Sequence, residues 1–193
     1  MNAEAAPRVE RPLRADARRN RERVLAAADE AFALDGPGVP LDEIARRAGV
    51  GAGTVHRHFP TKEALLAAVL VGRLEGMLAE VRQALAAPDP GPAFFTYFRA
   101  MTDYTQGKMD LAEALSHHGF DVRAVTREVG TALKADLGEL LRRAQEAGAV
   151  RTDVTVDDVH ALVVGAVAAA RAVPPSDAPR VTAIVRDGLR PRA

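Results

Sequence analysis

Apolar residues recur along the chain at the three- and four-residue intervals of a helix, and no segment alternates like a half-buried strand. Leu25, Ala28 and Phe32 share one face of a first helix running from about Asp16 or Arg18 to Leu34, which Asp35-Gly36-Pro37-Gly38 ends. Leu41, Ile44, Ala45 and Ala48 then fall on one face, so this stretch reads as a two-turn amphipathic helix. Gly49 follows where the chain must adopt positive φ, which glycine does without a Cβ penalty. A third short helix begins at Gly51. At about 100° per residue it carries Ala52, Val55 and Phe59 on one face, Gly53, Thr54 and Arg57 opposite, and His56 and His58 on the flanks.

Pro60-Thr61 starts a long fourth helix, with Thr61 as its N-cap and Leu66, Leu70, Leu74, Met77, Val81 and Leu85 as its stripe. "APDPGP" breaks it. A fifth helix carries Phe94, Tyr97, Phe98, Met101 and Tyr104, and Gly107 and Gly119 bracket a short sixth element. A seventh follows Asp121, with its stripe running from Val122 and Val125 to Leu140 and Ala144. Thr155-Val-Asp-Asp caps an eighth over Val156 to Ala172. Ser176 or Asp177 caps the last, whose apolar face is Val181, Ile184, Val185 and Leu189. The expected fold is all-α, with about nine helices, three short ones first.

Composition narrows the functional classes. Of 193 residues, 48% are hydrophobic and 27% charged, ordinary for a globular protein with a real core. The apolar runs at Ala64–Gly72 and Ala161–Ala170 are too short to span a membrane, and the N-terminus lacks a signal-peptide segment. The chain has no cysteine, which removes disulfides and thiolate metal sites and fits a cytoplasmic protein. Net charge is zero, but seven arginines between Arg8 and Arg23 face only Glu10, Asp16 and Glu22. That basic front end is either a nucleic-acid footprint or a solvated tail of mixed charge.

The stretch "GVGAGTVHRHFPTK" admits two readings. A dinucleotide fingerprint needs G-x-G-x-x-G after a buried strand; here Thr54 replaces the last glycine, and the preceding "LDEIARRA" has helical periodicity. A helix-turn-helix accounts for each residue, with Val55 and Phe59 pinning the second helix so that its other side faces outward. Lys62 stands in the first turn of the fourth helix, where the dipole disfavours a cation. A bound phosphate removes that mismatch; otherwise Lys62 is a tolerated surface residue.

"LDEIARRAGVGAGTVHRHFPTKEALL", behind an arginine-rich helix, resembles the N-terminal domain of TetR/AcrR-type transcriptional regulators. The resemblance covers roughly residues 14 to 66. It implies a flexible basic arm (1–15), a DNA-binding domain (16–62) and a helical effector-binding and dimerisation domain (63–193). It further implies a homodimer, a repressor on an inverted-repeat double-stranded DNA operator, released by a small-molecule effector, with the fourth helix as lever. By position it places Arg18, Gly51, Ala52, Gly53, Thr54, His56, Arg57, His58 and Lys62 at the DNA. Arg57 reads a guanine edge or grips the backbone. Departures are Pro40 for a capping threonine, Gly51 for a serine and His56 for a tyrosine.

Phe94, Phe98, Met101, Tyr104, His117 and Phe120 either line an effector cavity or form core. "ALVVGAVAAA" is rich in small residues, which suits either a dimer seam through the last two helices or close packing within one chain. His56 and His58 diverge by about 200° on their helix, and the adjacent His117 and His118 also diverge, by about 100°, so no metal is expected. No cofactor, catalytic residue or membrane partner is expected either. The alternative function is a helical small-molecule-binding protein or enzyme with a vestigial helix-turn-helix.

Overall fold

The computed structural model describes residues 10–117 and 121–191, and the side chains of residues 15–105, 111–116 and 121–191. Among them are eight helices and no strand: α1 (Glu10–Asp35), α2 (Leu41–Ala48), α3 (Ala52–His58), α4 (Lys62–Leu85), α5 (Pro90–His117), α6 (Val122–Glu146), α7 (Val156–Arg171) and α8 (Ala178–Gly188). The chain divides into two compact units, the first ending at Val69 and the second starting at Leu70, so the division falls inside α4.

In the first unit α1 packs on α2 and α3, and α2 on α3. Val24, Ala28, Ala31 and Phe32 of α1, Ile44, Ala45 and Ala48 of α2, and Val55 of α3 are all buried. The predicted stripes of the three helices face the core except at Ala52, which is exposed, and at Leu25 and Leu41, which are half-buried. Because α3 is only seven residues long, it holds its shape through packing rather than propensity. The α2–α3 turn is set by Gly49 at φ 62° and ψ 39°. Its N–H donates to the Arg46 carbonyl at 3.1 Å, and the Val50 N–H reaches the Ala45 carbonyl at 3.0 Å, closing α2 in the manner of a Schellman turn.

The second unit is built on α5, which packs against α6, α7 and α8. Its core joins Leu74, Met77 and Val81 of α4 to Phe94, Tyr97 and Phe98 of α5, Leu137, Leu140 and Ala144 of α6, and Val159 and Val163 of α7. The Tyr97 hydroxyl donates to the Met77 carbonyl at 3.2 Å, and burial pushes its pKa up. The predicted cap at α7 forms, where Thr155 and Asp158 complete a reciprocal capping box. Asp121 caps α6, accepting from the Ala124 N–H at 3.0 Å. Asp177 occupies the N-cap of α8 without a side-chain bond to the helix.

Two elements differ from the periodicity-based expectation. Helix α1 begins at Glu10 rather than near Asp16, so residues 10–15 are helical and not an arm; residues 1–9 of that expected arm lie outside the described residues. Pro12 does not prevent this, because in a first turn its missing N–H would have had no partner. The expected fifth and sixth helices are one continuous α5. Gly107 lies inside it, since an interior glycine costs only about 1 kcal/mol relative to alanine and does not remove a backbone donor.

Candidate nucleic-acid interface and effector cavity

The outward face of α3 is the first candidate site. Val55 is fully buried and Phe59 is 3% exposed, so the helix is anchored along one edge. Gly51, Ala52, Gly53, His56 and Arg57 are exposed, and Thr54 is half-buried. Arg57, about 200° around the axis from Val55, projects to solvent as the spacing requires. His58 differs from its neighbours. It lies about 60° from Val55 on the wheel, is half-buried, and its Nε2 is enclosed without a hydrogen-bond partner. Its ring sits 6.4 Å from that of Phe59.

Helix α1 steadies this arrangement through arginines. The Arg23 guanidinium donates to the Gly49 carbonyl at 2.9 Å. The contact is close enough that a Cβ at position 49 would stand 2.6 Å from its Nη2. Arg21 stacks its guanidinium 5.3 Å from the centre of the Phe59 ring. Arg18 is exposed and pairs with Glu22 at 3.7 Å. Part of the basic run is therefore committed to protein contacts. Its role in the turn was not visible in the sequence, because Arg23 and Gly49 are 26 positions apart.

Helix α2 is braced by Glu43, which accepts from Arg46 at 2.7 Å and 2.8 Å and from Arg47 at 2.8 Å. These bonds, Arg46 first, hold its carboxyl down to about 2. Arg47 also pairs with Asp35 at the end of α1, at 2.7 Å. Pro40 starts α2 in an extended conformation with no side-chain cap, and Gly51 does the same for α3. At α4, the Ala64 N–H donates to the Thr61 hydroxyl at 3.1 Å, the predicted cap. Lys62 is half-buried, and desolvation, against a partial offset from Glu63, lowers its pKa.

The second candidate site lies within the second unit, where α4, α5, α6 and α7 surround a cavity of about 220 Å³. Leu74, Met77, Met101 and Leu137 give it a buried apolar wall. Thr105, Thr126, Lys134, Asp157 and His160 supply polar groups. Lys134 and Asp157 pair across α6 and α7 at 2.7 Å.

Of the aromatic-stripe candidates, Met101 lines this cavity. Phe94 and Phe98, each 1% exposed, fill the core, and Phe98 also edges an open groove along α7 and α8. The Tyr104 hydroxyl donates to Glu80 Oε1 at 3.0 Å. The His117 side chain and Phe120 lie outside the described residues. Rings at the predicted spacing are drawn into the core because they carry the most apolar area. Thr105, one turn beyond Met101, and the row Thr126, Gly130, Leu133, Leu137 on α6 make up much of the cavity wall instead. A threonine and a glycine interrupting apolar faces were the available signal. No group of three or more His, Asp or Glu side chains able to hold a metal occurs among the described residues. No helix among them is long and apolar enough to cross a membrane.

A short exposed helix set by a positive-φ turn on an arginine-braced scaffold defines a helix-turn-helix DNA-binding protein. Residues 24–69 match the family model for bacterial regulatory proteins of the tetR family, and residues 89–191 match the SbtR-like transcriptional regulator C-terminal domain. The crystal structure of a TetR transcription regulatory protein from Mycobacterium vanbaalenii is 47% identical. It aligns over 93% of this chain and 100% of that one with a TM-score of 0.75. TetR transcriptional regulator SCO0520 from Streptomyces coelicolor is 32% identical, over 90% and 99%, with a TM-score of 0.72. The uncharacterized HTH-type transcriptional regulator TtgW of Pseudomonas putida is 45% identical over 64 residues, or 33% of this chain and 48% of that protein. The chain spans between 48% and 60% of the length of the first curated relatives it matches. The chain belongs to the TetR family of transcriptional regulators, a family of DNA-binding proteins and not of enzymes.

Proposed function

We propose that this protein is a cytoplasmic, homodimeric repressor that binds an inverted-repeat operator and leaves it when a small molecule enters the second unit. The observation that carries the reading is the exposure of Arg57 on a helix anchored by Val55 and Phe59. Each α3 enters a major groove, with Thr54, His56 and Arg57 at base edges and the exposed start of the helix, Gly51 to Gly53, against the groove wall. His58 contributes through its accessible edge, and Arg18 reaches phosphate after releasing Glu22. Lys62 holds a backbone phosphate, which restores the favourable surroundings that desolvation removes from its ammonium.

Two-fold symmetry of the operator follows from an isologous dimer. Helices α7 and α8 pack together, and their exposed Leu162, Val164 and Ile184 supply the apolar side chains that a partner subunit covers. Release works by population shift. The effector binds the DNA-incompetent conformer more tightly than the competent one, because equal affinity shifts nothing.

Gel retardation with the promoter region beside the protein's own gene tests this reading. Sequence-specific retardation that weakens steeply with salt is expected. A protein that retards no genomic fragment is instead a small-molecule-binding protein with a vestigial head.

A further inference from the structure

The walls of the 220 Å³ cavity restrict what it can hold. This inference deepens the effector reading above and rests on it. Met77 and Met101 are 5% and 3% exposed and offer flexible thioether chains that mould to a ligand. Thr105 is only 8% exposed and lines the same space, and its hydroxyl can both donate to and accept from a ligand group. A hydrogen bond made to it by a ligand in this apolar setting adds affinity that an isosteric methyl group cannot supply.

Charge and size narrow the class further. Lys134 and Asp157 neutralise each other at 2.7 Å, so neither is left over for an ionic ligand. A charged head entering the apolar end of this space would lose its hydration and find no uncompensated charge in the Lys134–Asp157 pair, leaving His160 as the remaining titratable side chain on the wall. A cavity of roughly 150 Å³ accepts one benzene ring, so this one has room for a ring and a short substituent. It falls below the volumes of roughly 300 Å³ and more that hold drug-sized molecules. Gly130 adds to the room, since a Cβ placed there would meet no atom within 4 Å.

We propose that the cavity binds a small uncharged molecule, one ring or its equivalent in bulk, whose hydroxyl or carbonyl pairs with the Thr105 hydroxyl. Size excludes fused polycyclic compounds, and the pairing of Lys134 with Asp157 disfavours carboxylates and amines.

Calorimetric titration of the full chain with benzyl alcohol, ethylbenzene and benzoate tests this, since the three share a ring and differ in the group it carries. Benzyl alcohol is expected to bind at least about tenfold more tightly than either of the others, a difference of ~1.4 kcal/mol. Thr105→Val should erase its advantage over ethylbenzene while leaving ethylbenzene binding unchanged. Gly130→Leu, which fills the space, should abolish both. Should Gly130→Leu not fold, Thr105→Val alone decides, because it swaps the cavity-lining hydroxyl for a methyl group of similar size. Equal binding of the three, a preference for benzoate, no binding at all, or an alcohol preference that survives Thr105→Val overturns the proposal. Gel retardation with the same preparations separates the two readings. Retardation without ligand binding defeats this inference alone; ligand binding without retardation defeats only the regulator reading.

Discussion

Arg57 and Lys62 occupy different surroundings, and the difference predicts different roles. Arg57 is exposed on the outer face of α3, where its guanidinium can present two donors to one base. Arg57→Ala is expected to cost about 1–3 kcal/mol at one base pair and to relax the preference there. Lys62 is half-buried beside the first turn of α4, so Lys62→Ala should weaken all sequences alike and reduce the salt slope by about 1. Binding titrations on an operator and its point variants at several salt concentrations distinguish them; identical profiles for the two variants would refute the assignment. Glu43 gives a prediction about acid. Its carboxyl ionises at about 2 instead of 4.5 because Arg46 and Arg47 bond to it. An acid depressed in the folded state contributes stability above about 4.5 that fades as pH falls toward 2. Wild type should therefore melt above Glu43→Gln at neutral pH, with the two curves converging below about pH 3. A gap in melting temperature that persists at pH 2 would count against this.

Among the elements, the α2–α3 turn depends most on a distant partner. Gly49 takes positive φ, and Arg23 of α1 closes over its carbonyl. Arg23→Ala removes one hydrogen bond, worth about 1 kcal/mol, and should lower operator affinity more than it lowers the melting temperature, because α3 loses a fixed seat. Gly49→Ala should cost about 1–2 kcal/mol for the left-handed backbone and, in addition, displace Arg23 from its 2.6 Å approach. Parallel melting and gel-shift measurements check both; an Arg23→Ala protein with unaltered operator affinity would show the contact to be incidental. The bounds of α2 and the caps of α4 and α7 were legible beforehand, since each is decided within one or two turns. The start of α1 and the continuity of α5 were not. Gly107 reads as a breaker from composition alone, and only the structure reveals that it, like Pro12 in the first turn of α1, stands where it is tolerated.

At the scale of the whole molecule, the proposed dimer carries the remaining prediction. Ile184 is 60% exposed on α8, beside Leu162 and Val164 in the set of apolar side chains that the proposed partner covers. Ile184→Asp should leave the melting of a monomer intact, shift sedimentation toward the monomer, and lower operator affinity at least about tenfold, or ~1.4 kcal/mol. A variant that remains dimeric would move the seam elsewhere.

Sequence alone determined the all-helical class, the two-turn α2, the positive-φ glycine, the face of α3 that carries Arg57, and the caps of α4 and α7. Each of these depends on neighbours within a few residues, where periodicity and backbone sterics act directly. Tertiary structure alone decided that Phe94 and Phe98 fill the core, that Thr105 and Gly130 border the cavity, and that Arg23 locks a turn 26 residues away. A sequence marks which face of a helix seeks cover but not which other helix provides it, and a cavity is what remains where that cover is incomplete.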